Sequence, residues 1–325
     1  MATTTCAPNV PVPRRPATGG FYKRLRGGDE IAYLVTLICA TAILLIVALL
    51  VVELWANSRP TIHTFGWGFL TSSTWDPNSG KFGALPFIYG TCVTSALALL
   101  IAVPLGVAAS IFLAEMAPPG ISNLLTFLIE LLAAVPSVIY GLIGIFVLVP
   151  IIRTYLVPPL TKTFGFLPIF QGDFYGVSFL SAGLVLSVMV VPFIVSVSRE
   201  VLLAVPVEQR EAALALGATK WETTWQIVIP NASTGIIGSV FLALARALGE
   251  TMAVTMVIGN TPTLTASLLS PGYSIAAVIA NEFAEASGSL YVSSLIFLGL
   301  VLFGLTIIIN GIARIMVLTT ARSRA

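Results

Sequence analysis

The chain reads as an all-α, polytopic membrane protein. Three observations carry this: 57% of its 325 residues are hydrophobic against 9% charged, its mean hydropathy is +0.99, and six apolar runs are each long enough to cross a bilayer. A soluble globule of this composition would lack the polar surface to cover itself. The net charge of +2, with its basic residues dispersed, gives no footprint for nucleic acid. Cys6, Cys39 and Cys92 show neither CxxC spacing nor pairing, so no disulfide framework and no metal site are expected.

Residues 1–30 carry Pro11, Pro13 and Pro16 with Arg14, Arg15, Lys23, Arg24 and Arg26, and no small-residue cleavage site follows the first apolar run. An uncleaved, cytoplasmic, largely disordered tail is expected. At roughly 20 residues per crossing, a transmembrane domain over 31–318 is expected to place its spans near 31–53, 85–114, 121–152, 178–204, 230–258 and 290–318, with a cytoplasmic tail at 319–325. The 54–84 segment, with Phe65, Trp67, Phe69 and Trp75, suits a cap at the outer interface. Pro136 falls near the middle of the long third run, where its missing donor and its clash with the preceding turn predict a kink or a short break. Glu130, about nine residues into that run, is a charge in the membrane that could gate a pathway, pair with a partner helix or serve structure alone. In the last outer loop Ile275, Ile279 and Phe283 recur at i, i+4 and i+8, a short amphipathic helix that would lie on the membrane surface or pack on the bundle.

Lysine and arginine set the orientation. Eleven lie in the N-terminal tail, around the 205–229 segment and at the end of the chain, against Arg59, Lys81, Arg153 and Lys162 in the alternate loops. Both termini and the 205–229 segment are therefore expected in the cytoplasm.

That segment is a polar hairpin between hydrophobic runs. Pro206 suits a first helical turn, Val207 to Leu216 are mostly good helix formers, and Gly217 suits a left-handed C′ position. Thr219-Lys-Trp-Glu222 has capping-box spacing, so a second helix starts at once, and Pro230 opens the fifth span. Ala212, Ala213, Ala215 and Ala218 would let another backbone come close, Glu211 adds a charge, and Trp221 and Trp225 form one aromatic ridge. A mere connection would not need this chemistry.

In the fifth run Arg246 lies about 15 residues, roughly 22 Å, past the cytoplasmic side, near or beyond mid-membrane. Burying it there costs roughly 2.5 to 3.5 kcal/mol on insertion scales. Glu250, at i+4, offers a direct ion pair. Ala245, Ala247 and Gly249 keep the face narrow, and a guanidinium fork suits an oxyanion, which favours a role in anion passage.

Two stretches resemble known families. Glu211-Ala212-Ala213, Gly217, Ile227 and Pro230, with Ile229 where leucine is usual, is similar to the signature of permease subunits of binding-protein-dependent ABC importers. The resemblance implies a type I importer permease in which this hairpin is the coupling helix, seated in a groove of a cytoplasmic ATPase. Arg246-Ala-Leu-Gly-Glu250-Thr-Met-Ala resembles the fifth-span motif of phosphate importer permeases, whereas sulfate and molybdate permeases share only its first part. Trp75-Asp-Pro, Phe82 to Gly90, Ile101 to Gly106 with Glu115, and Glu130 to Gly141 resemble the PstC type rather than the PstA type. Implied partners are a PstA-type permease, an ATPase dimer that binds ATP and Mg, an extracytoplasmic phosphate-binding protein and membrane lipids, in a bacterial plasma membrane. No cofactor is expected in this chain, which has no GxxxxGK[ST] loop, the nearest Gly-Lys pair being Gly80-Lys81. Two other classes compete. An ion-coupled secondary transporter could use buried Arg and Glu, but no mirrored internal repeat is found and the hairpin would be unexplained. An intramembrane enzyme would need a site, yet HExxH is absent and the one histidine, His63, lies in an outer loop.

Overall fold

The structure, a computed structural model, describes residues 29–322, so most of the expected N-terminal tail and the last residues of the C-terminal tail lie outside it. The described residues are predominantly helical and include no strand, only an isolated bridge between Asp76 and Lys81. Six helical segments are long and apolar enough to cross a membrane.

The chain divides into two units, Met1–Glu53 and Leu54–Ala325. In the first, the helix α1 (Asp29–Phe65) begins, and every side chain from Ile31 to Leu50 is exposed, as an all-round apolar helix surrounded by lipid would be. The helix continues past Pro60 to Phe65, well beyond the expected end near 53.

In the second unit α5 (Phe179–Leu203) is the central helix and the most deeply buried of the spanning segments. Its most extensive contact is with α2 (Leu85–Ile111). The reason is visible in the sequence of α2: Gly90, Thr94, Ala98, Ala102, Gly106 and Ser110 recur every fourth residue and all are buried. Lipid offers no hydrophobic incentive for helices to associate, so small residues that admit close van der Waals contact do this work. At Gly106 an added Cβ would stand 2.8 Å from Ile194 Cγ2. The same core takes in Val185, Leu186 and Met189 of α5, Ala243 and Ala247 of α8 (Ile229–Gly249), and Val254 and Val257 of α9 (Met252–Ile258).

The third apolar run is not one helix. α3 (Pro119–Ala133) ends before Pro136, and the spanning segment is Ser137–Phe164, beginning with α4 (Ser137–Ile143). The expected 121–152 span is thus shifted, because the break at Pro136 is complete and hands the crossing to the residues after it. Wide i→i+5 turns occupy Phe112–Met116, Gly144–Leu148, Ile152–Leu156 and Thr224–Val228. Each ends two residues before a proline, Pro118, Pro150, Pro158 or Pro230. A proline supplies no N–H and its ring crowds the carbonyl four residues back, so the ladder widens ahead of it.

At the end of the bundle away from the 205–229 hairpin, aromatic residues interlock. Phe69, Phe82 and Phe87 are buried with Tyr273, and Trp75 meets Phe82 and Phe87 edge-on at 4.9 and 4.8 Å. Glu282 Oε2 accepts hydrogen bonds from Trp75 Nε1 (2.9 Å) and Tyr291 Oη (2.7 Å). The aromatic part of the 54–84 segment thus packs over this end of the bundle, while residues 54–65 continue α1. α10 (Ile275–Glu282) buries Ile275, Ala276, Ala277 and Val278 and packs on α2 and on α11 (Ser289–Arg322). Of the two placements open to it, packing on the bundle is the one adopted.

Candidate functional site

The hairpin folds as its sequence dictates. α6 (Val207–Ala215) is followed by Gly217 at φ +91°, the left-handed conformation that favours glycine. Thr219 caps α7 (Lys220–Thr223): its Oγ1 accepts from the Glu222 N–H, while Glu222 accepts from the Thr219 N–H at 2.7 Å. Pro206 sits at the N-cap of α6 and not in its first turn, one residue earlier than expected.

What fixes this hairpin to the bundle is Arg210, which sequence reasoning did not single out. Its Nη2 donates to Glu115 Oε1 at 2.9 Å and to the Leu202 carbonyl at 2.7 Å, and Nη1 donates to the Val205 carbonyl. One side chain thereby satisfies carbonyls at the C-terminus of α5 and pairs with the wide turn that ends the second span, a location also favoured by the helix dipole. Asn231 Nδ2, at the start of α8, donates to Gln209 Oε1 at 2.8 Å. Ala213 is buried in this junction, whereas Glu211, Ala212 and Gly217 are exposed; Ile227 and Pro230 are half-buried where the hairpin joins α8. The free surface of the hairpin mixes charged side chains, Glu208, Glu211, Lys220 and Glu222, with large apolar ones. Leu216 is 90% exposed, and the rings of Trp221 and Trp225 stack at 5.7 Å with more than half their surface open. A surface of this kind on a protruding element is suited to receiving a partner.

The second feature is a pair of interrupted helices. α8 ends at Gly249, Glu250 is extended (φ −68°, ψ 127°), and α9 starts at Met252. α4, which follows the break at Pro136, packs against α9. Gly141 makes this possible, since an added Cβ would stand 2.6 Å from Met256 Sδ and 3.2 Å from Ala253 Cα. Tyr140 Oη donates to the Leu132 carbonyl at 2.6 Å and so satisfies a group the break leaves free. Unwound backbone at membrane depth is tolerated where it is buried in protein or lines a cavity.

The structure does not pair Arg246 with Glu250. The i+4 relation holds only along a continuous helix, and here the helix stops between them. Glu250 Oε1 instead accepts from the Ala253 N–H at 3.3 Å, helping to start α9. Arg246 is exposed on this chain and has no described carboxylate within ion-pair distance. Glu130 is exposed on α3, and its carboxylate has no hydrogen-bond partner among the described residues. Both charges thus stand on this chain's surface.

A helical bundle with interrupted helices at membrane depth and a braced, protruding hairpin defines a multi-pass transport permease. The chain belongs to the family of binding-protein-dependent transport system inner membrane components, whose pattern matches residues 102–320. It is 46% identical to the phosphate transport system permease protein PstC of Mesorhizobium japonicum over 89% of this chain and 90% of that protein. Against the PstC protein of Xylella fastidiosa the identity is 47%, over 89% and 90%. A bacterial ABC transporter that imports the acidic polysaccharide alginate shares the fold with TM-score 0.56 at 17% identity, covering 90% of this chain and 98% of that one. The inward-facing MetNI methionine ABC transporter does so with TM-score 0.53 at 15% identity, covering 76% and 99%. As a member of this family the chain is a non-catalytic inner-membrane subunit that works with a separate ATPase and a second permease.

Proposed function

We propose that the chain is the transmembrane permease subunit of an ATP-driven inorganic phosphate importer, forming half of the translocation pathway. The observation that carries the substrate is the likeness to PstC permeases along nine-tenths of the chain. Arg246 supports it physically: an exposed guanidinium near mid-membrane, with no carboxylate of its own, suits a pathway for a tetrahedral oxyanion. Arg246 and Glu250 line that pathway in this reading, Glu250 also holding the start of α9 beside it. Glu211, Ala212, Ala213, Gly217, Ile227 and Pro230 form the coupling hairpin docked on an ATPase dimer, which binds ATP and Mg. Pro136 sets the break and Glu130 faces the second permease, of PstA type. An extracytoplasmic phosphate-binding protein delivers the ion, and both termini and the hairpin lie in the cytoplasm, as the lysine and arginine bias supports.

The test is labelled phosphate uptake into proteoliposomes holding the chain, its partner permease, the ATPase and the binding protein. ATP-dependent uptake is expected, lost in Arg246→Gln and strongly reduced in Arg246→Lys. Near-normal uptake in both variants would remove Arg246 from the pathway. ATP-independent flux through the chain alone would favour a secondary transporter, and equal competition by sulfate or molybdate would widen the substrate class.

A further inference from the structure

We propose that the seam between α3 and α5, near the hairpin end of the bundle, is an oxyanion site. It would take a phosphate group, either the free ion or the head group of an anionic phospholipid. Six buried side-chain atoms have no hydrogen-bond partner among the described residues, and three of them, Thr126 Oγ1, Ser196 Oγ and Arg199 Nε, belong to these two helices. The helices pack on each other. Arg199 Nη2 reaches Ser122 Oγ at 3.5 Å, and that hydroxyl has already given its own proton to the Leu113 carbonyl at 2.8 Å. No carboxylate of the described residues lies within ion-pair distance of Arg199, Glu115 being held by Arg210.

The register brings these groups together. Ser122, near the start of α3, meets Arg199, near the end of α5, so the two helices run antiparallel there. One turn onward in α3 is Thr126, and one turn back in α5 is Ser196, both displaced in the same direction along the seam. Ser198 faces α8, where it bonds to Ser239 at 2.7 Å. Ser196, about 200° from Ser198 at 100° per residue, is directed away from that contact and shares a face with Arg199. Glu130, the next residue at the same spacing in α3, is exposed and leaves the seam.

The chemistry follows from the inventory of donors. A guanidinium has five N–H donors and no acceptor, and its Nε and Nη edges form the fork that matches two oxygens of a phosphate. The two unpartnered hydroxyls can donate to the remaining oxygens. A partly buried cation among spare donors calls for a ligand that only accepts and carries negative charge. This site is separate from Arg246. Arg199 lies about 6 Å from the hairpin end of α5, while Arg246 lies about 25 Å along α8 from its start, at 1.5 Å per residue.

The free-ion form of the proposal rests on the importer reading above; the lipid form does not. The test uses the assembled transporter in the Arg246→Gln background, without ATP or binding protein, in nanodiscs of phosphatidylcholine alone or with phosphatidylglycerol. Inorganic phosphate binding is measured by equilibrium dialysis and retained phosphatidylglycerol by native mass spectrometry. Arg199→Gln is expected to weaken one of the two by roughly 10- to 100-fold, the range for a lost charge-assisted hydrogen-bond pair, with Arg199→Lys and Thr126→Val intermediate. A fall in phosphate binding in neutral discs identifies the free ion, and a fall confined to lipid retention identifies the head group. If neither responds to Arg199→Gln, Arg199→Lys or Thr126→Val in complexes that assemble normally, the groups are only hydrated and the proposal is overturned. ATP-driven uptake by the unsubstituted complex, assayed beside it, reports separately on the importer reading.

Discussion

Replacing Arg210 by alanine should uncouple ATP hydrolysis from transport. The guanidinium makes three hydrogen bonds, to Glu115, Leu202 and Val205, and the two charged side chains are only 16% and 13% exposed. A charge-assisted hydrogen bond contributes about 1.5 to 3 kcal/mol, but water reaching the edge of the site replaces part of this. A loss of about 3 to 5 kcal/mol is the expected range for removing one member of a largely buried pair. At 1.4 kcal/mol per factor of ten, that raises the population of hairpins detached from α5 and the second span by about 100-fold or more. Glu115→Gln keeps both carbonyl contacts and should cost about 1 to 2 kcal/mol. The assay is the number of phosphate ions imported per ATP hydrolysed in proteoliposomes. The ratio should fall in the order unsubstituted, Glu115→Gln, Arg210→Ala, with hydrolysis persisting in all three. A wild-type ratio in Arg210→Ala would refute the brace, since the force would then reach the spans by another route.

Other expectations follow from local geometry. Gly217→Val should cost about 1 to 2 kcal/mol through backbone strain alone, since nothing lies within 4 Å of an added Cβ; reduced co-purification of the ATPase would show it, and Gly217→Asn should be milder. Gly141→Leu should drive α4 from α9 and depress uptake, with Met256→Ala in the same chain restoring part of it, because Met256 Sδ is the atom struck first. The Tyr273 phenol is pushed up to about 12, chiefly by burial, with the Asn281 hydrogen bond acting the other way. A raised value favours the protonated fold, so this contribution is intact below pH 10 and lost as pH rises towards 12. The ultraviolet difference between the unsubstituted protein and Tyr273→Phe should therefore show no phenolate at pH 10.

Much of this architecture is written in short-range signals. Gly217, Thr219 and Glu222 act within a few residues of one another, so their turn and capping box could be read directly. Pro136 announced a break, but hydropathy runs without interruption from 121 to 152, and nothing in that run says that the crossing begins after the proline. The wide turns had a usable sign in the prolines that follow them, which becomes informative only once several are seen together. The Arg246–Glu250 pair failed because it assumed an unbroken helix, whereas Gly249 ends it. Arg210 and Glu115 stand 95 residues apart, and no periodicity connects them. The polar seam of Arg199 was hidden for the same reason.

The tie from Trp75 to Glu282 also bears on how the molecule is made. Its two ends are separated by 207 residues, and Tyr291, the second donor to that carboxylate, is later still. During synthesis the early aromatic segment must therefore wait, unsealed, until the final crossing has been threaded through the translocon. A nascent chain stalled before Glu282 would leave those rings without their clasp, a ready mark by which quality-control proteases could tell unfinished molecules from complete ones.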